Sequence, residues 1–204
     1  MSKEKGKTRR GITIMYIILA LVIVFILLTV ILNNVVFTRV EVVGSSMVGT
    51  LNDGDVVVAS KKAKPKRGDI VVIKNLEENK HVIKRMVAVA GDTIMFKSGN
   101  FYVKKKNTTE FVETLGVPLT SNAYFNEGVE YVIENGTCFY LGDNYAISKD
   151  SRENGCCLVK DITAVVPKWA VKMKKFSTFM VKKIRQPISK FFKSCGVYYR
   201  VVTN

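Results

Sequence analysis

A single uncharged stretch near the N-terminus limits what this 204-residue chain can fold into more than any other feature does. Residues 12–32 contain no charged residue, no proline and no glycine, and they are rich in Ile, Leu and Val. A helix of this length, rising about 1.5 Å per residue, spans about 30 Å, which is the thickness of the hydrocarbon core of a bilayer. The sequence therefore predicts a transmembrane helix over residues 12–33.

The other interpretation of this stretch is a cleaved export signal, which also begins with basic residues. The apolar part of such a signal is usually about 7 to 15 residues long and ends at a cleavage site of small residues. Here the apolar stretch is longer, and it is followed by Asn33, Asn34, Val35 and Val36, which do not form such a site. Its length favours an anchor that stays attached to the chain.

The positive charge of the chain lies almost wholly at its two ends. Of the formal charge of +15, residues 1–11 contribute +4, residues 165–204 contribute +10, and the part between them contributes +1. A basic groove for nucleic acid in the central part is therefore not expected. Two basic flanks beside a membrane explain the pattern better, so membrane lipid is an expected partner.

The charge of the first segment also predicts an orientation. Basic residues next to a membrane span are retained in the cytoplasm, so residues 1–11 are expected to lie inside the cell. The chain after residue 33 is then extracytoplasmic, and the protein crosses the cell membrane once. The basic tail does not contradict this orientation, because long domains are translocated largely regardless of their charge.

Residues 34–168 are predicted to form a mostly β domain. Short segments rich in Val, Ile, Phe and Tyr alternate with turn residues, as expected for strands. The predicted strands span residues 35–43, 55–60, 69–74, 81–90, 93–96, 100–105, 129–133 and 138–142. Residues 104–130 are polar and mixed, so they are expected to form a surface insertion.

Residues 169–204 are predicted to form a basic tail with a helical pattern. Met173, Phe176, Met180 and Ile184 recur at intervals of three and four with lysines between them, as in an amphipathic helix. Such a helix would lie either on an anionic bilayer surface or against the domain, and the sequence leaves both open.

Four short segments combine reactive side chains with glycine: residues 44–51, 68–72, 84–92 and 142–152. Ser46 lies on a glycine-flanked turn after a predicted strand, where its hydroxyl could act as a nucleophile beside a base. The only histidine, His81, has nothing in the sequence that orients it as that base. Lys84 has apolar neighbours, namely Val82, Ile83, Met86, Val87 and Val89. Burial there would lower its pKa and make it a base, and a strand lysine that reaches solvent is the alternative.

Together, the four segments resemble those of bacterial type I signal peptidases of the Gram-positive type, membrane-anchored Ser-Lys proteases that remove signal peptides from exported proteins. The family pattern Ser-Met-x-Pro-Thr-Leu matches residues 46–51 except at Gly49, and Lys-Arg followed by Gly-Asp matches residues 84–85 and 91–92. The pattern Gly-Asp-Asn-x-x-x-Ser-x-Asp-Ser-Arg is matched in full by residues 142–152. The resemblance implies a signal-peptidase-like β fold and the activity of a serine endopeptidase.

The resemblance, which covers residues 10–168, also implies roles for five side chains. Ser46 would be the nucleophile and Lys84 the general base. Ser148 would orient the Lys84 amine. Asp150 and Arg152 would form an ion pair that holds the site together. If these last two lie on one strand, their side chains point the same way, since residues i and i+2 of a strand share a face.

A substrate would add as an extended strand between two segments of the enzyme. By the resemblance, these segments contain Val42, Val43, Gly44 and Ser45 on one side and His81, Val82 and Ile83 on the other. Val42 and Ile83 would wall shallow pockets that accept Ala-x-Ala ends. Only thirteen residues separate Leu32 from Ser46. They span at most about 45 Å, so the nucleophile stays near the outer membrane surface.

The sequence departs from the family pattern at four positions near the site. Gly49 and Ala90 replace prolines, Ala88 replaces a glycine, and Gly44 stands where some relatives have a hydroxyl that stabilises the oxyanion. The Ser45 hydroxyl or a backbone N–H would then supply that second donor. The changes at Gly49, Ala88 and Ala90 remove no reactive group, so activity is expected, with an altered choice of substrate left open. The alternative function is a non-catalytic relative that binds export or surface-fibre substrates.

The sequence indicates neither a metal nor a cofactor. Cys138, Cys156, Cys157 and Cys195 lack paired Cys-x-x-Cys spacing, and a single histidine is a poor ligand set. Outside the cell, Cys138 could form a disulfide with Cys156 or Cys157, and free thiols are the alternative.

Overall fold

The structure is a computed structural model of the chain. It describes residues 2–75, 80–114, 116–121, 123–175, 178–179 and 198–203. The chain divides into two compact units with the boundary between Val36 and Phe37. The first unit is a single helix, and the second is built mostly of β-strands. This arrangement confirms the predicted fold class.

The N-terminal helix, α1, runs over Ser2–Val36 and contains the predicted membrane stretch. Its segment Ile12–Ile31 has a mean hydropathy of 3.3, and none of it is buried within the protein. The Thr29 hydroxyl donates to the carbonyls of Phe25 (2.9 Å) and Ile26 (2.8 Å), so this polar group is satisfied without water. Within the described part of the chain, α1 is the one helix long and apolar enough to cross a bilayer.

The strands of the second unit form two sheets. In chain order the described strands are β1 (Phe37–Gly44), β2 (Val56–Ser60), β3 (Ile70–Asn75), β4 (Lys80–Val89), β5 (Thr93–Lys97), β6 (Asn100–Lys104), β7 (Phe111–Thr114), β8 (Glu130–Val132), β9 (Thr137–Leu141), β10 (Cys157–Leu158), β11 (Ile162–Val166) and β12 (Tyr198–Thr203). The larger sheet has the order β10-β9-β4-β3-β11-β2-β1-β12, and the smaller has the order β7-β6-β5-β8. Neighbouring strands are antiparallel except β1 and β12, which run parallel.

The topology of the larger sheet brings the motif segments together. β9 pairs with β4 so that Leu141 lies opposite Arg85, and the segment that begins at Gly142 therefore starts beside Lys84. The turn after β1 reaches the same place, because the backbone N–H of Asn144 donates to the Ser46 carbonyl at 2.9 Å.

Among the described residues, the buried hydrophobic side chains form three clusters, two of them on the larger sheet. Val42, Met47, Leu51 and Ile83 are fully buried in the core of the larger sheet. A second core packs the smaller sheet against β9 and is rich in aromatic rings, namely those of Phe96, Phe101, Phe125 and Phe139. Burying a large apolar side chain contributes about 1.5–3 kcal/mol, so these clusters account for much of the stability of the fold.

The eight predicted strands are all present, with their ends within two residues of the predicted positions. The prediction of a surface insertion over residues 104–130 is wrong in part. Phe111–Thr114 forms β7, and Val117 and Phe125 are buried in the second core. Isolated apolar residues inside a polar segment are enough to fold it onto the domain.

The first part of the basic tail forms a short helix, α3, over Lys168–Lys172, which ends at Met173. The predicted amphipathic helix was defined by Met173, Phe176, Met180 and Ile184, and the last three of these lie outside the described residues. The amphipathic helix therefore stays a prediction. Whether it would lie on a membrane surface or against the domain stays open too.

The residues after α3 contact the turn that joins β1 to β2. The Lys174 ammonium donates to the Thr50 carbonyl at 2.5 Å and lies 3.3 Å from the Asp55 carboxylate. The backbone N–H of Val56 donates to the Thr178 hydroxyl at 2.8 Å. These contacts hold the start of the tail against the domain, close to the turn that contains Ser46.

Candidate active site

Ser46 lies in the turn that follows β1. Met47 and Leu51 anchor this turn, because both side chains are fully buried and the Leu51 N–H donates to the Met47 carbonyl at 2.8 Å. The Ser46 side chain is itself buried. The turn therefore fixes the position of a hydroxyl between the core and the end of β1.

Lys84 brings its ammonium to this hydroxyl from β4. Its Nζ lies 2.8 Å from Ser46 Oγ and 3.0 Å from Ser148 Oγ. Burial lowers the pKa of Lys84 to about 8, with the Asp150 charge opposing this shift and the Arg152 charge adding to it. A usable fraction of the amine is therefore neutral near physiological pH. The alternative of a lysine that reaches solvent is excluded, because the side chain is 1% exposed.

Asp150 and Arg152 form the predicted ion pair, with Arg152 Nε 2.9 Å from Asp150 Oδ1, and both are fully buried. The expectation that they share a strand is wrong. Asp150 caps the N-terminus of a one-turn helix, α2 (Ser151–Asn154), and accepts the Arg152 backbone N–H at 3.2 Å. The two side chains meet because a capping carboxylate turns back over the first turn of its helix.

Arg152 connects this pair to the rest of the site. Its guanidinium donates to the backbone carbonyls of Tyr145 (2.7 Å), Ser148 (3.2 Å) and Pro118 (2.9 Å). The bond to Ser148 fixes the backbone of the residue whose hydroxyl accepts from Lys84. Asp150 and Arg152 therefore help to position the lysine amine through Ser148, in addition to the direct effect of their charges on its pKa.

Gly142 allows the segments to approach this closely. A β-carbon at this position would lie 2.3 Å from Ser148 Oγ and 2.5 Å from the Ser46 carbonyl oxygen. Neither distance is sterically possible, and the Ser46 oxygen belongs to the backbone. A residue without a side chain is therefore required for Ser46 and Ser148 to meet at Lys84.

A model of the family "Signal peptidase, peptidase S26" matches residues 14–169. This chain belongs to that family. It has the function of a signal peptidase I, and it is a serine endopeptidase. The comparisons give no support to the alternative of a non-catalytic accessory protein.

Among similar proteins, a signal peptidase I of Bacillus licheniformis is 37% identical over 58% of this chain and 67% of its own length. A signal peptidase I of Streptococcus pneumoniae is 27% identical over 62% of this chain and 78% of its own. Signal peptidase I T of Bacillus subtilis is 34% identical over 59% of this chain and 65% of its own.

A second ion pair joins all four motif segments of this signal peptidase. Arg85 Nε and Nη2 bond to the two oxygens of Asp143, each at 2.7 Å. The same guanidinium donates to the Gly68 carbonyl at 2.8 Å and the Thr50 hydroxyl at 3.3 Å. Arg85 and Asp143 lie within the sequence motifs, but the sequence alone assigned them no role. The available signal was that an Arg directly follows the predicted base and an Asp directly follows Gly142.

The predicted substrate-binding residues of the signal peptidase lie at the ends of β1 and β4. Val42 and Ile83 are fully buried in one core cluster, so these two strands face each other across it. Val43, Gly44, His81 and Val82 are half-buried, and Ser45 is exposed. Their role in holding a substrate stays a prediction.

Two of the departures from the family pattern change the backbone of this signal peptidase. Gly49 has a φ of +102°, which a proline cannot adopt because its ring fixes φ near −65°. The turn after Ser46 therefore differs from the proline-containing turn of the family pattern. Gly44 has a φ of +99°, and its N–H donates to Asp53 Oδ1 at 2.8 Å.

The described cysteines are free thiols, and two of them are in contact. Cys138 and Cys157 are paired residues of β9 and β10, and their sulfur atoms are 3.3 Å apart. Of the two partners considered for Cys138, the register places Cys157 opposite it. The structure has the free-thiol form of this pair, and a Cys138–Cys157 disulfide outside the cell stays a prediction.

Proposed function

We propose that this protein cleaves signal peptides from exported preproteins with Ser46 as nucleophile and Lys84 as general base. One observation carries the proposal. Lys84 Nζ lies 2.8 Å from Ser46 Oγ, in a buried place where its pKa is lowered to about 8. A lysine amine can take a proton from serine only where its neutral form is populated.

In the first step, neutral Lys84 takes the Ser46 hydroxyl proton while Oγ attacks the scissile carbonyl carbon. The tetrahedral intermediate then collapses, and the Lys84 ammonium gives its proton to the leaving amine of the mature protein. Water next attacks the acyl-enzyme while Lys84 takes its proton, and Lys84 then returns this proton to Ser46 Oγ as the ester bond breaks and the signal peptide leaves. Ser148 holds the amine in place through the 3.0 Å contact to Nζ.

The developing oxyanion needs two donors. The Ser46 backbone N–H is the first of these, and the second is the Ser45 hydroxyl or another backbone N–H, because Gly44 lacks a hydroxyl. The substrate lies as an extended strand between β1 and β4, where Val42 and Ile83 limit the residues before the scissile bond to small ones such as Ala-x-Ala.

The chain is anchored in the cell membrane by α1, with residues 1–11 in the cytoplasm and the β unit outside. The basic residues before the apolar stretch support this orientation. In this arrangement, the cytoplasmic segment spans residues 1–11 and the membrane span residues 12–33. The peptidase domain follows over residues 34–168, and the basic tail over residues 169–204. Membrane lipid is the second partner, beside the preprotein.

Cleavage of a purified preprotein in detergent tests the mechanism. Ser46→Ala and Lys84→Ala are expected to lower kcat by at least about a thousandfold, because the dyad acts as a unit. The exposed Ser121 and Lys160 supply matched controls, and Ser121→Ala and Lys160→Ala are expected to cleave as the unaltered chain does. Normal cleavage by Ser46→Ala would show that the nucleophile is a different residue.

A further inference from the structure

The last described strand, β12, occupies an edge of β1 beside the site. It pairs with β1 in parallel, with a register that begins at Arg39 opposite Tyr198 and ends at Gly44 opposite Thr203. β1 forms its other ladder with β2. The Cα atoms of β12 also lie within 8 Å of those of β4. β12 therefore lies next to both strands that are proposed to hold the substrate.

β4 leaves room for a neighbour at the same place. Its register with β3 covers Lys80 to Arg85, whereas its register with β9 begins only at Arg85. Residues 80–84 thus have β3 on one edge, while β9 does not reach the other edge. β12 approaches β4 as well as β1.

The direction of β12 matches that of a signal peptide. The residues before a scissile bond run from N to C towards the nucleophile, so a bound signal peptide must run towards Ser46. β12 is parallel to β1, and its last residue, Thr203, lies opposite Gly44, two residues before Ser46. A signal peptide that adds to β1 in this direction needs the hydrogen-bonding edge that β12 already occupies.

We propose that β12 is an internal competitor for the substrate-strand position of the enzyme. This inference rests on the proposed function of the site and adds a form of regulation to it. A preprotein binds only when β12 leaves the edge of β1. The apparent affinity for the preprotein is therefore the intrinsic affinity multiplied by the fraction of molecules in which this edge is free. Once β12 has left, the substrate meets an unchanged Ser46-Lys84 pair.

The tail is attached in a way that allows this exchange. Lys174 and Thr178 hold its start against the β1–β2 turn. Residues 180–197 supply eighteen residues of chain before β12, or at most about 60 Å when extended. β12 can therefore leave its edge while the start of the tail stays bound.

Removal of residues 198–204 tests the proposal through steady-state cleavage of a fluorogenic peptide with an Ala-x-Ala end, in detergent. If roughly one molecule in ten has a free edge, the truncated enzyme has a KM roughly tenfold lower and the same kcat. A synthetic peptide of residues 198–204 should inhibit the truncated enzyme competitively, and a scrambled peptide should not. An unchanged KM after truncation overturns the proposal.

Single substitutions within β12 make the test specific for strand pairing. Successive backbone N–H groups of a strand face opposite edges, so one of Val201 and Val202 has its N–H towards β1. Proline lacks this N–H, so either Val201→Pro or Val202→Pro should reproduce the lower KM. Val201→Thr and Val202→Thr are the matched controls, since threonine keeps the preference for strands. A KM that stays at the full-length value in both proline variants contradicts the role of the ladder.

Amide hydrogen exchange on the full-length Ser46→Ala chain supplies a measurement that does not need cleavage. The amides of residues 198–203 should be protected, and saturating signal peptide should remove that protection. Exchange at the rate of a free chain overturns the proposal. A Ser46→Ala chain that still cleaves would refute only the mechanism, because the KM comparison would still report on β12.

Discussion

The larger and the smaller sheet of the β unit bury different kinds of side chain. The buried polar or charged residues beside the larger sheet include the five of the candidate site, namely Ser46, Lys84, Ser148, Asp150 and Arg152. The core of the smaller sheet is lined by aromatic rings, such as Phe96 and Phe101 with centroids 4.9 Å apart. One region depends on paired charges and hydrogen bonds, whereas the other depends on apolar burial. Substitutions should therefore affect activity as well as stability in the first region, and stability alone in the second.

The largest effect is expected for the buried ion pair. Arg152→Met leaves the Asp150 carboxylate buried without its partner, which should lower the free energy of unfolding by about 4 kcal/mol. kcat should also fall, because the Ser148 carbonyl loses a donor. Urea unfolding in detergent and peptide cleavage measure the two effects, with the exposed neighbour variant Lys149→Met as control. A loss below about 1 kcal/mol would contradict the importance of this pair.

Phe101→Ala should destabilise the protein without a specific effect on catalysis. Its ring is buried and stacks on Phe139 with the centroids 5.3 Å apart. Removing the ring should lower the free energy of unfolding by about 3 kcal/mol. At a temperature where the variant is folded, kcat should equal that of the unaltered chain. A large fall in kcat of the folded protein would remove the distinction between the two sheets.

The pH dependence of activity should reflect the region that contains Lys84. Because the pKa of Lys84 is about 8, kcat/KM should rise about tenfold per pH unit below pH 8, which is about 1.4 kcal/mol per unit, and level off above it. A profile that is flat from pH 6 to pH 9 would exclude Lys84 as the base.

Stability should depend on pH with a sign set by the same group. Burial lowers the pKa of Lys84 from 10.5 in the unfolded chain to about 8, so the unfolded state binds the proton more tightly. The free energy of unfolding should therefore rise as the pH rises from 8 to 10.5. Lys84→Met should lose this rise, whereas Phe101→Ala should keep it.

The smallest effect is expected for the partly exposed pair of Arg85 and Asp143. Arg85→Met should cost about 1 kcal/mol of stability, since solvent screens this pair. It should still lower kcat/KM, because Arg85 connects its own motif segment to the other three. Lys104→Met, which breaks the exposed pair with Glu130 in the smaller sheet, is the control and should change neither quantity. Equal effects of the two variants on kcat/KM would contradict the connecting role of Arg85.

Local patterns in the sequence predict most of the fold. The eight predicted strands have alternating apolar residues and turn residues at their ends, so they are recognisable without tertiary information. β10 has two residues and is too short to show a pattern, and β7 lies among polar residues. β12 lies after a long basic tail, and its parallel register with β1 depends on contacts between residues far apart in the sequence.

The sequence predicts which residues belong to the candidate site, but it does not predict how they are arranged. The motifs identify Ser46 and Lys84, and the apolar neighbours of Lys84 explain why its pKa is lowered. The helix cap formed by Asp150 could not be predicted, because a Ser-Arg-Glu-Asn segment has no periodicity over four residues. Arg85 and Asp143 are 58 residues apart, so only the folded chain shows that they pair.

The close packing around Gly142 limits how this enzyme could become resistant to an inhibitor. A compound that packs against Gly142 and Ser148 would bind a surface that a substitution at position 142 cannot change without moving the catalytic residues. Any added side chain displaces Ser148 or the Ser46 carbonyl, which lie 2.3 and 2.5 Å from the position of its first carbon. Resistance gained at this position would therefore come with loss of catalysis.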